Sequence, residues 1–419
     1  MTGNAAGGVS DDLLIRGARV LTLTGDGARR GAGMADLGVL PCADVLVRGG
    51  EIAEINASEH AGACTQKDRA TPVIEANGRV LMPAFIDAHT HACWAGERLD
   101  EWEMKLKGAS YLDLLKSGGG IMSTVRSVRG ASEDELFYGL MNRLAWMLRG
   151  GTTAVEVKSG YGLSTPDELK MLRAIARARD AWEGAISPTA CIGHAIDKEQ
   201  DNFVERTISE TLPAIHQEFP GVTIDGYCED GAWSLDETVR LFDAAKELGH
   251  PLRIHADQFN SLGMVREAVR LGALSVDHLE ASTREDLEHL AQSETFGVML
   301  PCSGFHTDGR YGDGRRFLDA GGKLVVATNV NPGSAPCSSM PMAVALAVRS
   351  LGITAAEAIT ACTANAAALL GLTDRGSIAV GKRADLVLLR WRDERELGHT
   401  FGGDPVDAVI CGGRVVRGE

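Results

Sequence analysis

The chain has 419 residues, with 42 Lys plus Arg against 57 Asp plus Glu, a formal net charge of −15. An acidic chain without a basic block is a poor match to nucleic acid or an anionic membrane surface. With 44% apolar and 24% charged residues, disorder over most of the length is also excluded. No apolar run reaches the roughly 18 residues of a spanning helix, and the first residues carry no secretion-signal pattern. Nine scattered cysteines without a CxxC pair suit reduced thiols, so a cytoplasmic location is expected.

Taken in chain order, residues 13–23, 43–55 and 73–81 read as short β-rich runs separated by turns such as Arg48-Gly49-Gly50 and Asn77-Gly78. Eight apolar runs follow, at 80–91, 152–158, 186–194, 223–229, 252–257, 274–279, 296–301 and 324–329. Stretches between them, at 133–148, 166–181, 235–248, 263–271 and 284–291, carry apolar residues at helical spacing. Residues 377–389 and 406–416 return to the β-rich style of the start. Eight strand–helix units predict an α/β fold, a TIM (β/α)8 barrel over 82–374. Residues 1–81 and 375–419 are expected to build one small β-sandwich from both termini. No GxGxxG follows the first strand, which argues against a doubly wound sheet.

The first barrel strand ends in Asp87-Ala88-His89-Thr90-His91. Residues two apart on a strand share a side, so His89 and His91 can face one metal ion in the barrel mouth. His255 ends strand five, His278 ends strand six and Asn329 ends strand eight. A lone histidine on an apolar strand is more often a core residue than a ligand. Three strand ends delivering histidine to the catalytic rim are hard to explain that way. Imidazole ligands suit zinc, iron, nickel or manganese equally. His60, His250, His289 and His399 read as surface residues, and Cys93 as a buried thiol more than a ligand.

At these residues the chain resembles the amidohydrolase superfamily and, within it, the imidazolonepropionase family. The resemblance covers nearly the whole chain. It rests on Pro83 to His91, on Gly118-Gly119-Gly120-Ile121-Met122, on Glu156-Val157-Lys158-Ser159-Gly160-Tyr161, on His255-Ala256-Asp257-Gln258 and on Asn331-Pro332-Gly333-Ser334. It implies hydrolysis of 4-imidazolone-5-propanoate to N-formimidoyl-L-glutamate with one divalent metal, zinc or iron first among the candidates, in a homodimer. It also implies His89, His91 and His255 as ligands and His278 as proton shuttle. Arg98 would pair with the substrate carboxylate, and Tyr111, Tyr161 and His194 would line the pocket. Gln258 would hydrogen-bond the ring, and His194 would help the metal support the oxyanion. Lys158 could bridge two metals as a carbamate, but an ion pair with Glu156 is the more ordinary expectation.

One position departs from the family pattern. Asn329 stands where the family places a metal-binding Asp that takes a proton from water. Its amide oxygen can touch a metal, but it brings no charge and cannot act as a base. Asn329 is open to three readings: an introduced substitution, a natural variant in which His278 supplies the base, or a mark of lost activity. Two rival functions follow: another cyclic-amidine or cyclic-amide hydrolase or deaminase of the superfamily, and a catalytically silent ligand-binding homologue. Gln258 argues against deamination, where an acid is needed three residues after the strand-five His.

Overall fold

The computed structural model describes residues 12–25, 27–57, 71–108 and 119–418. Tyr111, His60 and Gly118, singled out above, lie outside the described residues. The chain begins with β1 (Leu13–Leu21), β2 (Val39–Arg48), β3 (Glu51–Ala57), β4 (Val73–Glu75) and β5 (Val80–Pro83). Eight parallel strands follow: β6 (Phe85–Asp87), β7 (Thr152–Lys158), β8 (Ala185–Gly193), β9 (Thr223–Cys228), β10 (Leu252–Ala256), β11 (Ser275–His278), β12 (Phe296–Met299) and β13 (Leu324–Val326). The chain ends with β14 (Leu386–Leu389), β15 (Val406–Cys411) and β16 (Arg414–Arg417).

The two ends form a single mixed sheet, ordered β16-β15-β14-β5-β1-β2-β3 with β4 beside β1. It has its own core, in which Leu13, Ile15, Val45, Ile52, Leu386 and Leu388 are buried. The parallel strands follow one another in chain order from β6 to β13. Outer helices are set by their sequences. Ser132 with Glu135, and Ser234 with Glu237, make capping boxes that start Glu133–Arg149 and Leu235–Glu247. In the first of these, Leu136, Leu140, Leu144 and Met147 bury one stripe against the barrel. Among the described residues no helix is long and apolar enough to cross a membrane.

The run expected as one strand over 80–91 divides in two. Pro83 pairs with Leu386 in the terminal sheet, whereas Phe85 pairs with Thr152 in the barrel. Proline has no N–H to continue a ladder. The next donor, Ala84 N–H, goes to the Asp385 carbonyl at 3.0 Å. The chain thus leaves one sheet and enters the other within two residues.

Between the outermost strands β6 and β13, residues at or just past each strand end form a seam. Asp87 accepts the Thr328 hydroxyl at 2.5 Å and the Thr328 N–H at 3.1 Å. Asn329 N–H donates to the His89 carbonyl at 3.1 Å, and His91 N–H to the Val330 carbonyl at 3.0 Å. The first two bonds hold the barrel edge; the last two fix where His89, His91 and Asn329 stand. Thr328→Val keeps the side-chain shape and removes the hydroxyl. We expect it to cost about 1–3 kcal/mol, read as a lower urea midpoint with an unchanged far-UV circular dichroism spectrum. An unchanged midpoint would show that the seam carries no weight.

Candidate active site

His89, His91 and His255 are almost fully buried, and one ligand atom from each lies within 4.8 Å of the others. His255 stands on β10 as expected. His89 and His91 lie just beyond β6, not inside a strand, yet their alternation survives because Thr90 bridges Val330 in register. His91 Nε2 and His255 Nε2 approach to 3.2 Å.

The partners of these rings decide which nitrogen carries the proton. His89 Nδ1 lies 2.6 Å from Asp277 Oδ2, and His255 Nδ1 lies 3.0 Å from Asp225 Oδ1. Ionised carboxylates only accept, so both Nδ1 atoms donate and both Nε2 atoms keep a lone pair. Burial, reinforced by neighbouring cations, holds His89 and His91 well below the usual imidazole range, so they are neutral. His89 Nε2 and Asn329 Oδ1 are buried without a hydrogen-bond partner. Three clustered imidazoles, with orphaned buried atoms on His89, His91 and Asn329, fit a divalent cation held by His89, His91 and His255 with Asn329 as a neutral fourth donor.

Beneath the imidazoles lies a layer of buried charge. Lys158 Nζ donates to Glu156 Oε1 and Asp225 Oδ2, both at 2.6 Å. Arg253 donates to Asp277 Oδ2 at 2.6 Å, the Ala88 carbonyl at 2.8 Å and Ser275 Oγ at 2.8 Å. Glu156 Oε2 accepts Thr90 N–H at 3.0 Å. Burial alone would raise the Asp225 carboxyl, but His255 and Lys158 hold it well below the usual carboxylate range. Lys158 is kept charged by Asp225 and Glu156 against the cost of its burial. It is an ion-pair partner, as its ordinary reading held, and its charge is engaged on both sides. Three carboxylates against two cations leave a formal excess of one negative charge under the site, which favours a cation above it.

Around this centre the predicted residues take definite places. His278 ends β11, and its Nδ1 lies 3.1 and 3.2 Å from the two Glu280 oxygens. Nδ1 therefore donates to Glu280 and leaves Nε2 as a base. His278 and Leu279 both have positive φ (90° and 73°), a costly backbone that brings Glu280 round to the ring. His194 stacks on His91 with ring centroids 4.7 Å apart. The resemblance gave His194 an oxyanion-supporting role. Its Nδ1 lies 2.9 Å from the Gly160 carbonyl, which can only accept. Burial lowers its pKa to about 3, so the ring is neutral and Nε2 has no proton to donate. His194 can accept a hydrogen bond from a ligand, not give one.

Tyr161 is buried 5.3 Å from His194, ring to ring. Arg98 forms an ion pair with Glu101, whose carboxylate also accepts Gly120 N–H at 3.1 Å. Its Nη1 reaches Thr124 Oγ1 at 3.3 Å and lies against Gly333, where an added Cβ would come within 3.0 Å of it. Gln258 follows β10, and its Oε1 accepts the Tyr227 hydroxyl at 2.9 Å. Cys93 has its thiol pushed up to about 12 by burial and is not among the ligand cluster. His250, expected at the surface, is buried and bonds the Val222 carbonyl at 2.7 Å.

Reading the sequence missed Asp225, Asp277, Arg253, Glu280 and Glu101. Asp277 and Glu280 flank His278 and carried a local signal in Asp-His-x-Glu. Asp225 and Arg253 look like ordinary strand residues, and only the barrel brings them under the histidines. Asp225→Asn should free His255 to change tautomer and strip a charge from beneath the site. We expect metal affinity to fall about 10- to 100-fold, read as metal content after dialysis against graded chelator. Retention equal to the parent chain would remove Asp225 from the metal centre.

Comparison with known proteins agrees with this geometry. The amidohydrolase family model matches residues 80–416. An imidazolonepropionase of Herpetosiphon aurantiacus is 45% identical over 401 residues, covering 93% of each chain. One of Deinococcus radiodurans is 41% identical, covering 96% of this chain and 99% of its own. Among solved structures, a triazine hydrolase of Arthrobacter aurescens superposes with TM-score 0.74 at 18% identity, covering 97% of this chain and 95% of its own. An atrazine chlorohydrolase of the same species, complexed with zinc, gives 0.73 at 18% over the same shares. At that identity the two structures speak for the fold alone. Matched by the family model over most of its length and by relatives end to end, the chain belongs to the amidohydrolase family, among its imidazolonepropionases.

Proposed function

We propose that the protein hydrolyses the cyclic amide of 4-imidazolone-5-propanoate to N-formimidoyl-L-glutamate, a step of histidine degradation. The observation that carries this reading is the near full-length likeness to imidazolonepropionases, joined to a buried three-histidine site with an arginine at its edge. One divalent ion, zinc or iron, is the cofactor we infer; when bound, it lowers the pKa of a water and polarises the ring carbonyl.

The protein's own groups supply the rest. The substrate carries a propionate, and the Arg98 guanidinium, oriented by Glu101, matches a carboxylate. His194 Nε2 accepts from a ring N–H. His278 Nε2, with Nδ1 held by Glu280, takes the proton from the attacking water and returns it to the leaving ring nitrogen. Water adds to the carbonyl carbon, the C–N bond breaks, and the nitrogen gains the proton. The charge that Asn329 does not bring is partly offset by the carboxylate excess beneath the histidines.

A silent binding protein is the second reading, and Asn329 is what favours it. The His278–Glu280 pair weighs against it, since it leaves a base in place without an aspartate at position 329. Loss of imidazolonepropanoate should be followed with the zinc-loaded chain, with Asn329→Asp and with His278→Ala. We expect turnover by the first, faster turnover by the second, and a loss of about 10²- to 10⁴-fold in the third. No turnover by either the chain or Asn329→Asp overturns the proposal.

A further inference from the structure

Tyr227 has no place in the reading above, yet it touches a group that does. It lies on β9 directly opposite His255 of β10, and their ring centroids are 6.0 Å apart. Paired residues on parallel strands project to the same side, so Tyr227 faces the barrel mouth beside a metal-binding histidine. Its hydroxyl donates to Gln258 Oε1 at 2.9 Å. Both side chains are half-buried.

A primary amide has two unlike ends. The oxygen accepts and the NH2 group donates, and the two exchange places when the amide turns over. A phenol hydroxyl can meet either end, donating to the oxygen or accepting from the NH2 group; here it donates to the oxygen. Gln258 makes no other hydrogen bond among the described residues, so its NH2 end is the one left for a ligand.

We infer that Tyr227 is a positioning residue for the proposed substrate: its hydrogen bond holds the Gln258 side chain at the ring, with the NH2 end turned away from the hydroxyl. The inference rests on the proposed function and on Gln258 as a ring contact. It has a consequence for specificity. In this orientation the NH2 end favours a ring edge that accepts, a carbonyl oxygen or an unprotonated nitrogen. Released from Tyr227, the Gln258 side chain is no longer held at the ring, and part of the binding energy goes into reordering it.

A double-mutant cycle separates this from a packing role. Tyr227→Phe keeps the ring and removes the hydroxyl; Gln258→Ala removes the group it positions. The four proteins are loaded with zinc and assayed with 4-imidazolone-5-propanoate. The cycle is run both on the chain as it stands and on Asn329→Asp. Tyr227→Phe alone should raise KM about fivefold, the worth of one net hydrogen bond, with kcat within about twofold. In the Gln258→Ala background the same substitution should leave KM within about twofold. An equal rise in both backgrounds would assign Tyr227 to packing and overturn the inference, as would no effect in either. Circular dichroism of each variant checks folding. Absence of turnover in both the chain and Asn329→Asp overturns the functional reading, and the inference falls with it. Turnover with additive effects overturns the inference alone.

Discussion

The structure depends on the buried ionic layer formed by Lys158, Arg253, Glu156, Asp225 and Asp277. All five side chains are almost wholly removed from water. Burying charges costs several kcal/mol each unless each finds partners, and removing one partner leaves the other stranded at a cost of about 3–5 kcal/mol. Here every member has at least two. The layer spans β7, β9, β10 and β11, so it ties four barrel strands together at the depth where the catalytic face begins. Its upper edge is the pair of carboxylates that hold His89 and His255. A framework contact and an orienting contact are thus the same contact. Hydrophobic residues could stabilise this level of the barrel equally well, but they could not set a histidine tautomer.

That arrangement also bears on Asn329. A neutral amide at the end of strand eight is a poor base and a weak charge partner. The geometry around it remains that of a metal site: its Oδ1 is buried and unsatisfied, and its backbone, at φ 58°, is held by the bond to the His89 carbonyl. On the proposed reading proton transfer falls to His278, and the backbone strain at His278 and Leu279 is understandable as what brings Glu280 behind that ring. Four of the positive-φ residues other than glycine, Asp257, His278, Leu279 and Asn329, follow or end strands at this rim. Their extra cost is concentrated where side chains must converge.

The polar groups at the mouth are poised more narrowly than a list of residue types suggests. His194 is an acceptor because Gly160 takes its only proton. The Gln258 oxygen accepts from the Tyr227 hydroxyl. Arg98 is oriented by Glu101 and lies against Gly333. Each feature limits which face of a heterocyclic acid can bind, and each comes from a neighbour on another element.

Much of this was legible in the residues. Alternating apolar runs, helical spacing between them and capping residues such as Ser132 and Glu135 follow from local backbone physics, so the barrel and a β-rich unit built from both ends could be read in advance; that this unit is one mixed sheet came from the strand pairing. Histidines at the ends of strands one, five and six could be read too, because the catalytic rim of a barrel lies at strand C-termini. The break at Pro83 was present as a missing N–H, but only pairing with Leu386 on one side and Thr152 on the other shows which sheet each half joins. Asp225 and Arg253 are about thirty residues apart and carry no local pattern. Their roles exist only once neighbouring strands stack them under the three histidines. The sequence by itself determined which residues could bind a metal or a proton. The tertiary structure decided their tautomers, charges and directions, because those depend on the partner each atom meets across the barrel.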